Sequence, residues 1–329
     1  MSTIKKVAKE AGVSTATVSR VLNGNYPVSK DAYEKVMAAV KKTGYKGNAI
    51  AKSLKMNKTF MIGLVVPDIS NSYFMEIAKG IENIITSKGY TLMICSTEDD
   101  PEKEDKVLQT LHNKRVDAVI LATCQSSGKS IKEFIDDGLK IIMIDSKIEG
   151  LDVSFVGEEN FKNTVDLIEY CISKGHRSLG IIKGVHAMET ARTRMAAFAA
   201  TLSKHGLPLK DDYVIEGGYH AEIAFEAVGK LLQKDYPSLL FASNNKMAEG
   251  AMRAIFEAGL KIPDDISLVA YGDISTPHLI KPSLTVIEQN PLAFGIKTGE
   301  LLLELLNKDF ISVIKHEVKF KEGQSVKSL

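Results

Sequence analysis

From Phe60 onward, apolar and β-branched runs recur along the chain: Met61–Val66, Thr91–Ser96, Ala118–Ala122, Ile141–Ile144, Leu179–Ile182, Leu239–Ala242, Leu268–Ala270 and Leu284–Ile287. Most are separated by 10–16 residues with helical spacing of apolar positions: Tyr73–Ser87, Lys103–Asn113, Phe161–Ser173, Ala191–Lys204, Ala221–Gln233, Lys246–Ala258 and Leu292–Leu306. Strands that are apolar throughout, rather than at alternate positions, are buried on both faces, as in a parallel sheet covered by helices. Strand–helix alternation points the same way. There are too many such units for one compact sheet, so the pattern predicts two doubly wound parallel-sheet lobes.

Before Phe60 the rhythm is different. Ile4, Val7, Ala8 and Ala11 share one side of a short helix that Thr3 can cap and Gly12 ends. Ser14 is placed to cap a second helix, Thr15 to Leu22, with Val13, Val18 and Val21 or Leu22 inward. After the loop from Asn23 to Pro27, Ser29 caps a third helix, Lys30 to Thr43, whose apolar side is Ala32, Val36, Ala39 and Val40, and Gly44 closes it. Two helices joined by a three-residue turn that begins with glycine, then a supporting helix, form an all-α helix-turn-helix head. The outward positions of the second helix are Thr15, Ala16, Thr17, Ser19 and Arg20. Small side chains let a helix enter a DNA major groove deeply, and an arginine there can fork onto guanine. Thr15 and Ala16 suit base edges and thymine methyls; Thr17 and Ser19 suit phosphates, which position without specifying.

Charge sharpens this reading. The chain carries a net +1, yet residues 1–58 hold twelve Lys and Arg against three Asp and Glu, a surplus of nine. The remainder therefore carries eight more negative charges than positive. A basic head on an acidic body fits a polyanion binder.

The stretch "TIKKVAKEAGVSTATVSRVLNG" resembles the N-terminal signature of the LacI/GalR family of transcription regulators, and the resemblance runs through nearly the whole chain. It implies a helix-turn-helix head over residues 1–46, a hinge over 47–58 and an α/β core like a periplasmic binding protein over 59–329. The core lobes are expected at about 60–158 with 291–319, and 159–290 with 320–329. It implies that Thr15, Ala16 and Arg20 read bases, with Thr17, Ser19, Asn23, Asn48 and Ala51 completing the DNA-contacting set. Leu54 would wedge into the minor groove from a hinge that folds only on DNA. Gly47 and Lys52 stand where the family usually has Pro and Arg; Gly47 adds chain entropy to the unbound hinge.

For the core, the resemblance implies a small carbohydrate-like effector in a cleft at the carboxyl ends of the strands. Its expected contacts are Tyr73 and Phe74 in "PDISNSYF", Asp145 at a strand end, Arg194 in "ARTRMAAF", Tyr219 in "EGGYHAE" and Asn244 in "FASNNKMAEGAM". Phe74 also suits a plain core position, Asp145 a cap, and Arg194 a surface ion pair. Gly272 and Asn245 replace carboxylates common in the family, and Lys183 and Lys246 lie near strand ends. These departures lead us to expect an anionic effector. The expected regulator is a dimeric repressor on a pseudo-palindromic duplex, with effector and DNA binding coupled.

Other classes fit less well. Dinucleotide and phosphate-loop fingerprints, a Gly-x-Ser-x-Gly elbow and a His-Glu-x-x-His pair are absent from the sequence, which argues against an enzyme. His176, in Gly175-His176-Arg177, fits a structural turn. Cys95, Cys124 and Cys171 have neither disulfide nor metal spacing, and no cofactor or metal is expected. A solute-binding protein of the periplasmic type is the rival reading. The basic head and the polar start Met1-Ser2-Thr3-Ile4-Lys5-Lys6 oppose it and lead us to expect a cytoplasmic protein without membrane contact.

Overall fold

The computed structural model describes residues 3–23, 27–45, 58–308 and 310–329, the side chain of Asn23 excepted. Asn48, Ala51 and Leu54, with residues 47–57 of the expected hinge, fall outside the described residues. The chain divides into two compact units, Met1–Thr59 and Phe60–Leu329.

The first unit holds α1 (Ile4–Ala11), α2 (Thr15–Asn23) and α3 (Lys30–Thr43). Val7, Val18 and Val36 are fully buried, joined by Ala8, Ala11, Val21 and Ala39. Each buried valine contributes roughly 1.5 kcal/mol or more, so this head rests on few side chains. Gly12 takes φ +67° and returns its N–H to Ala8, ending α1 as expected. Thr3 does not cap α1: its side chain makes no capping hydrogen bond. The other two caps form. Ser14 Oγ accepts from Thr17 N at 3.1 Å, and Ser29 Oγ from Ala32 N at 3.3 Å. Of the two inward candidates, Val21 is buried and Leu22 exposed.

The second unit contains two six-stranded sheets. The first is built from β1 (Met61–Val66), β2 (Thr91–Ser96), β3 (Ala118–Leu121), β4 (Ile141–Ile144), β5 (Ser154–Glu158) and β11 (Val313–His316), in the order β11-β5-β4-β3-β1-β2, all parallel. Its helices are α4 (Ser72–Ile85), α5 (Pro101–Asn113), α6 (Lys129–Asp136) and α11 (Pro291–Leu305). The second sheet is built from β6 (Leu179–Lys183), β7 (Val214–Glu216), β8 (Leu239–Ala242), β9 (Ser267–Tyr271), β10 (Thr285–Glu288) and β12 (Lys319–Lys321), in the order β12-β10-β9-β8-β6-β7. Its helices are α7 (Asn160–Ser173), α8 (Glu189–Lys204), α9 (Ala221–Leu232) and α10 (Asn245–Glu257). The expected all-parallel second sheet needs one correction: β12 pairs antiparallel with β10. A short return strand can close an edge this way because its neighbour leaves backbone groups unpaired.

The chain crosses between the sheets after β5, after β10 and after β11. Apolar clusters lie on both faces of each sheet, which is why β1, β3, β4, β8 and β9 are almost wholly buried. His176 is structural. It is 1% exposed, with Nδ1 2.8 Å from Ser238 Oγ and Nε2 3.1 Å from Lys327 O.

Candidate functional site

On α2, Thr15, Ala16 and Arg20 are exposed, whereas Thr17 and Ser19 are half-buried. Thr17 Oγ1 lies 2.9 Å from the capping Ser14 Oγ, so that hydroxyl supports the helix start. Of the five outward candidates, the exposed ones are thus the three expected to face base edges.

In the core, the carboxyl ends of the strands from both sheets meet around a cleft, the usual place for a small ligand in such folds. The six residues expected at an effector site, Tyr73, Phe74, Asp145, Arg194, Tyr219 and Asn244, all line it. Sequence reasoning missed Asp99, Thr190, His220 and Gln289, which line it too.

Arg194, on the second turn of α8, is 4% exposed, so the surface-ion-pair reading is wrong. Its Nε donates to Asn160 Oδ1 at 2.9 Å and Nη1 to the Ser243 carbonyl at 2.7 Å. Its guanidinium lies 3.7 Å from the centroid of the Tyr271 ring. No hydrogen bond from Nη2 to the described residues accompanies these. Burial opposes the charge, but Tyr271, Tyr219, Asp145 and Glu158 outweigh it and raise the pKa further. The fork is therefore fixed, charged and one donor group short of saturation.

The carboxylates behave in the opposite way. Burial raises the pKa of Asp145, with Arg194 opposing, and Asp145 Oδ1 accepts from Tyr73 Oη at 3.4 Å. Burial likewise raises Asp99, with His220 opposing and Asp68 adding to the rise. Asp99 Oδ2 is 3.3 Å from His220 Nε2, whereas its Oδ1 is buried with no hydrogen-bond partner. Glu158, at the end of β5, is pushed up to about 7 by burial, with Arg194 again opposing. Gln289 Nε2 donates to both of its oxygens at 3.1 Å. Phe74 is 7% exposed and belongs to the apolar core as well as the cavity wall, so both of its readings hold.

Backbone conformation also marks the site. Asp99, Asp145 and Tyr219 have φ of +56°, +64° and +67°. Such values are uncommon for residues with a side chain, and they concentrate where structure is over-determined for function. Tyr219 Oη is held 2.9 Å from Thr190 Oγ1, and burial pushes its pKa up to about 12. Its ring packs over Gly184, where any side chain would collide with it. Gly272 takes φ +90°, and a Cβ there would lie 2.5 Å from Gln289 Oε1. The space of the absent side chain is thus filled by Gln289.

Two corrections concern charge. Lys183 and Lys246 do not line the cavity; they pair with Glu216 at 2.8 Å and Glu249 at 2.9 Å. Asn245 is not a ligand-facing substitute for a carboxylate alone. It clasps Asn71 across the cleft, with Asn245 Nδ2 donating to Asn71 Oδ1 at 2.9 Å and a return bond at 3.4 Å. Asn71 also caps α4 by accepting from Tyr73 N at 3.1 Å. Both amides are buried. Glu189 N, in the first turn of α8, donates to Ser146 Oγ of the other lobe at 3.2 Å. Among the described residues no cluster of His, Cys, Asp and Glu could hold a metal ion, and no helix is long and apolar enough to cross a membrane.

Comparison with known proteins agrees with this architecture. The family "Bacterial regulatory proteins, lacI family" matches residues 3–48, and "Periplasmic binding proteins and sugar binding domain of LacI family" matches residues 59–324. The HTH-type transcriptional repressor PurR of Haemophilus influenzae (strain PittEE) is 36% identical over 94% of this chain and 93% of its own. Catabolite control protein A of Priestia megaterium is 29% identical over 98% of both chains. A LacI-family transcriptional regulator from Silicibacter pomeroyi superposes with a TM-score of 0.84 at 26% identity, covering 99% of this chain and 100% of that one. These relatives are transcription regulators rather than enzymes. The chain belongs to the LacI family of bacterial regulatory proteins: it is a DNA-binding transcriptional regulator with a small-molecule effector, and not an enzyme.

Proposed function

We propose that the chain is a cytoplasmic, homodimeric repressor whose effector occupies the cavity between the two core lobes. The observation that carries this reading is Arg194: a buried, fixed guanidinium at a cavity wall, with Nη2 still lacking an acceptor. Nη2 is not a buried orphan; it keeps its donors for a ligand oxygen in the cavity, and guanidinium geometry suits such acceptors. Tyr73, Phe74 and Tyr219 supply apolar surface, and Asn244 and Asp145 supply polar contacts. In the head, Thr15, Ala16 and Arg20 read base edges, while Thr17, Ser19, Asn23, Asn48 and Ala51 position the duplex and Leu54 bends it.

Coupling follows from where the ligand sits. It touches both lobes, so it binds their closed arrangement more tightly than an open one, and this differential affinity shifts the lobe equilibrium. DNA and effector then influence each other by the same factor. Two heads on two half-sites make the operator a pseudo-palindrome. The test is selection of bound duplexes from a random pool, with and without a mixture of small metabolites. A two-fold-symmetric consensus whose recovery changes with metabolites supports the reading. Unselective recovery governed by salt alone sinks it.

A further inference from the structure

The cavity's charges do not balance. Of its lining side chains, Asp68, Asp99 and Asp145 are acidic, Arg194 is basic, and His220 is already paired with Asp99. Glu158 stands behind Gln289 and adds a further acid. Asp68 is satisfied locally, its two oxygens accepting from Ser70 N and Ser70 Oγ at 2.7 Å. Asp99 is not: its Oδ1 is buried without a partner. Asp145 receives one long bond from Tyr73. Among the described residues no ion pair within 4.0 Å joins Arg194 to Asp145 or Glu158, although its charge is felt by both.

Resting on the reading of this cavity as the effector site, we propose that the effector carries a protonated amine, held by Asp99. A hydrogen-bond acceptor elsewhere on the same molecule meets Nη2 of Arg194. Three arguments support this class over a neutral or anionic one. An anion would enter beside Asp68, Asp99 and Asp145 with one arginine to oppose them, and like charges brought together in an interface are strongly unfavourable. A hydroxyl can satisfy the unpartnered oxygen of Asp99 but brings no charge to it, whereas an ammonium does both. The rings of Tyr73, Phe74 and Tyr219 line the same space, and an aromatic face attracts a cation as well as apolar surface.

The test uses the full chain in a thermal-shift screen with three panels at equal concentration, followed by calorimetry of every hit. The amines are glucosamine, galactosamine, agmatine and tyramine. The neutral compounds are glucose, galactose, ribose and adenosine. The acids are glucuronate, gluconate and glucose 6-phosphate. The amine panel should contain the strongest stabiliser, and Asp99→Asn should weaken it at least tenfold. Asn tolerates the same backbone conformation, so this variant should melt within a few degrees of the parent. Neutral compounds should bind Asp99→Asn as they bind the parent. A strongest hit among the acids or neutral compounds overturns the proposal. So does an amine panel that stabilises nothing, or an amine hit indifferent to Asp99→Asn. Tyr219→Ala separates this from the underlying reading: hits of any class that survive it show that the cavity is not the effector site.

Discussion

The first sheet delivers carboxylates to the cleft: Asp68 after β1, Asp99 after β2 and Asp145 after β4. The second delivers Arg194, Tyr219, His220, Asn244 and Asn245 from the equivalent ends of its own strands and the helices that follow them. The two lobes share a strand order and differ in chemistry. Topology therefore decides where ligand contacts stand, while each lobe sets their sign independently. Neither wall offers both the acids and the guanidinium. A ligand that needs both rewards closure of the lobes, which a ligand held by one wall would not do.

The sharpest way to break this contrast is to remove the one cation. Arg194→Met should weaken the effector by about 3 kcal/mol, the upper end for a hydrogen bond to a charged group. Calorimetry should show roughly a hundredfold loss. Retained affinity would mean that the second lobe does not read the ligand through this group.

Next comes the clasp between the walls. Asn245→Ala strands the buried amide of Asn71 and should cost about 1–3 kcal/mol, with small-angle scattering reporting a more open core. The double change of Asn71 and Asn245 to Ala should cost less than the sum of the singles. Strict additivity in that cycle would deny the pairing.

Arg20→Ala probes the head instead. It should cost about 1–3 kcal/mol at one base pair of each half-site and leave effector affinity unchanged. An unaltered sequence preference would remove α2 from the groove.

The smallest effect concerns Glu158. Its folded pKa, about 7, lies above its ordinary value of 4.5, so the folded chain holds the proton more tightly than the unfolded one. Stability attached to this group is full below pH 4.5 and is lost as pH rises through 7. Glu158→Gln should abolish that loss. The stability difference between parent and variant should change by about 1–2 kcal/mol between pH 5 and 8 in chemical denaturation. A pH-independent difference would count against a desolvated Glu158.

The sequence was legible where burial is two-sided: β1, β4 and β8 have the ends that their apolar runs predict. β2, an edge strand, was read too, because its run is apolar at the centre. The reading failed where a strand is very short or mixes polar residues with apolar ones. β5 reads Ser-Phe-Val-Gly-Glu; β7 and β12 are three residues long; β11 has Lys315 and His316 among its four residues. α6 has eight residues, of which Ile131 alone is fully buried, so its stripe is too thin to recognise. The site followed the same division. Residues inside recognisable motifs, such as Arg194 and Tyr219, could be named. Glu158 was lost with β5, although as the last residue of a strand it obeys the rule that located Asp145. Asp99 follows a strand that was read, in Thr97-Glu98-Asp99-Asp100, and that rule applied to β2 would have found it. The lysines misled because proximity to a strand end says nothing about a competing carboxylate on the neighbouring turn or strand, such as Glu249 or Glu216.

Control of DNA binding by a ligand in the interlobe cavity is read out by fluorescence anisotropy of a selected operator duplex, titrated with parent and Tyr219→Ala protein in the presence and absence of the effector hit. Operator affinity should change at least tenfold for the parent and not at all for the variant, with ligand-free affinities equal. An equal response from both proteins would contradict such control.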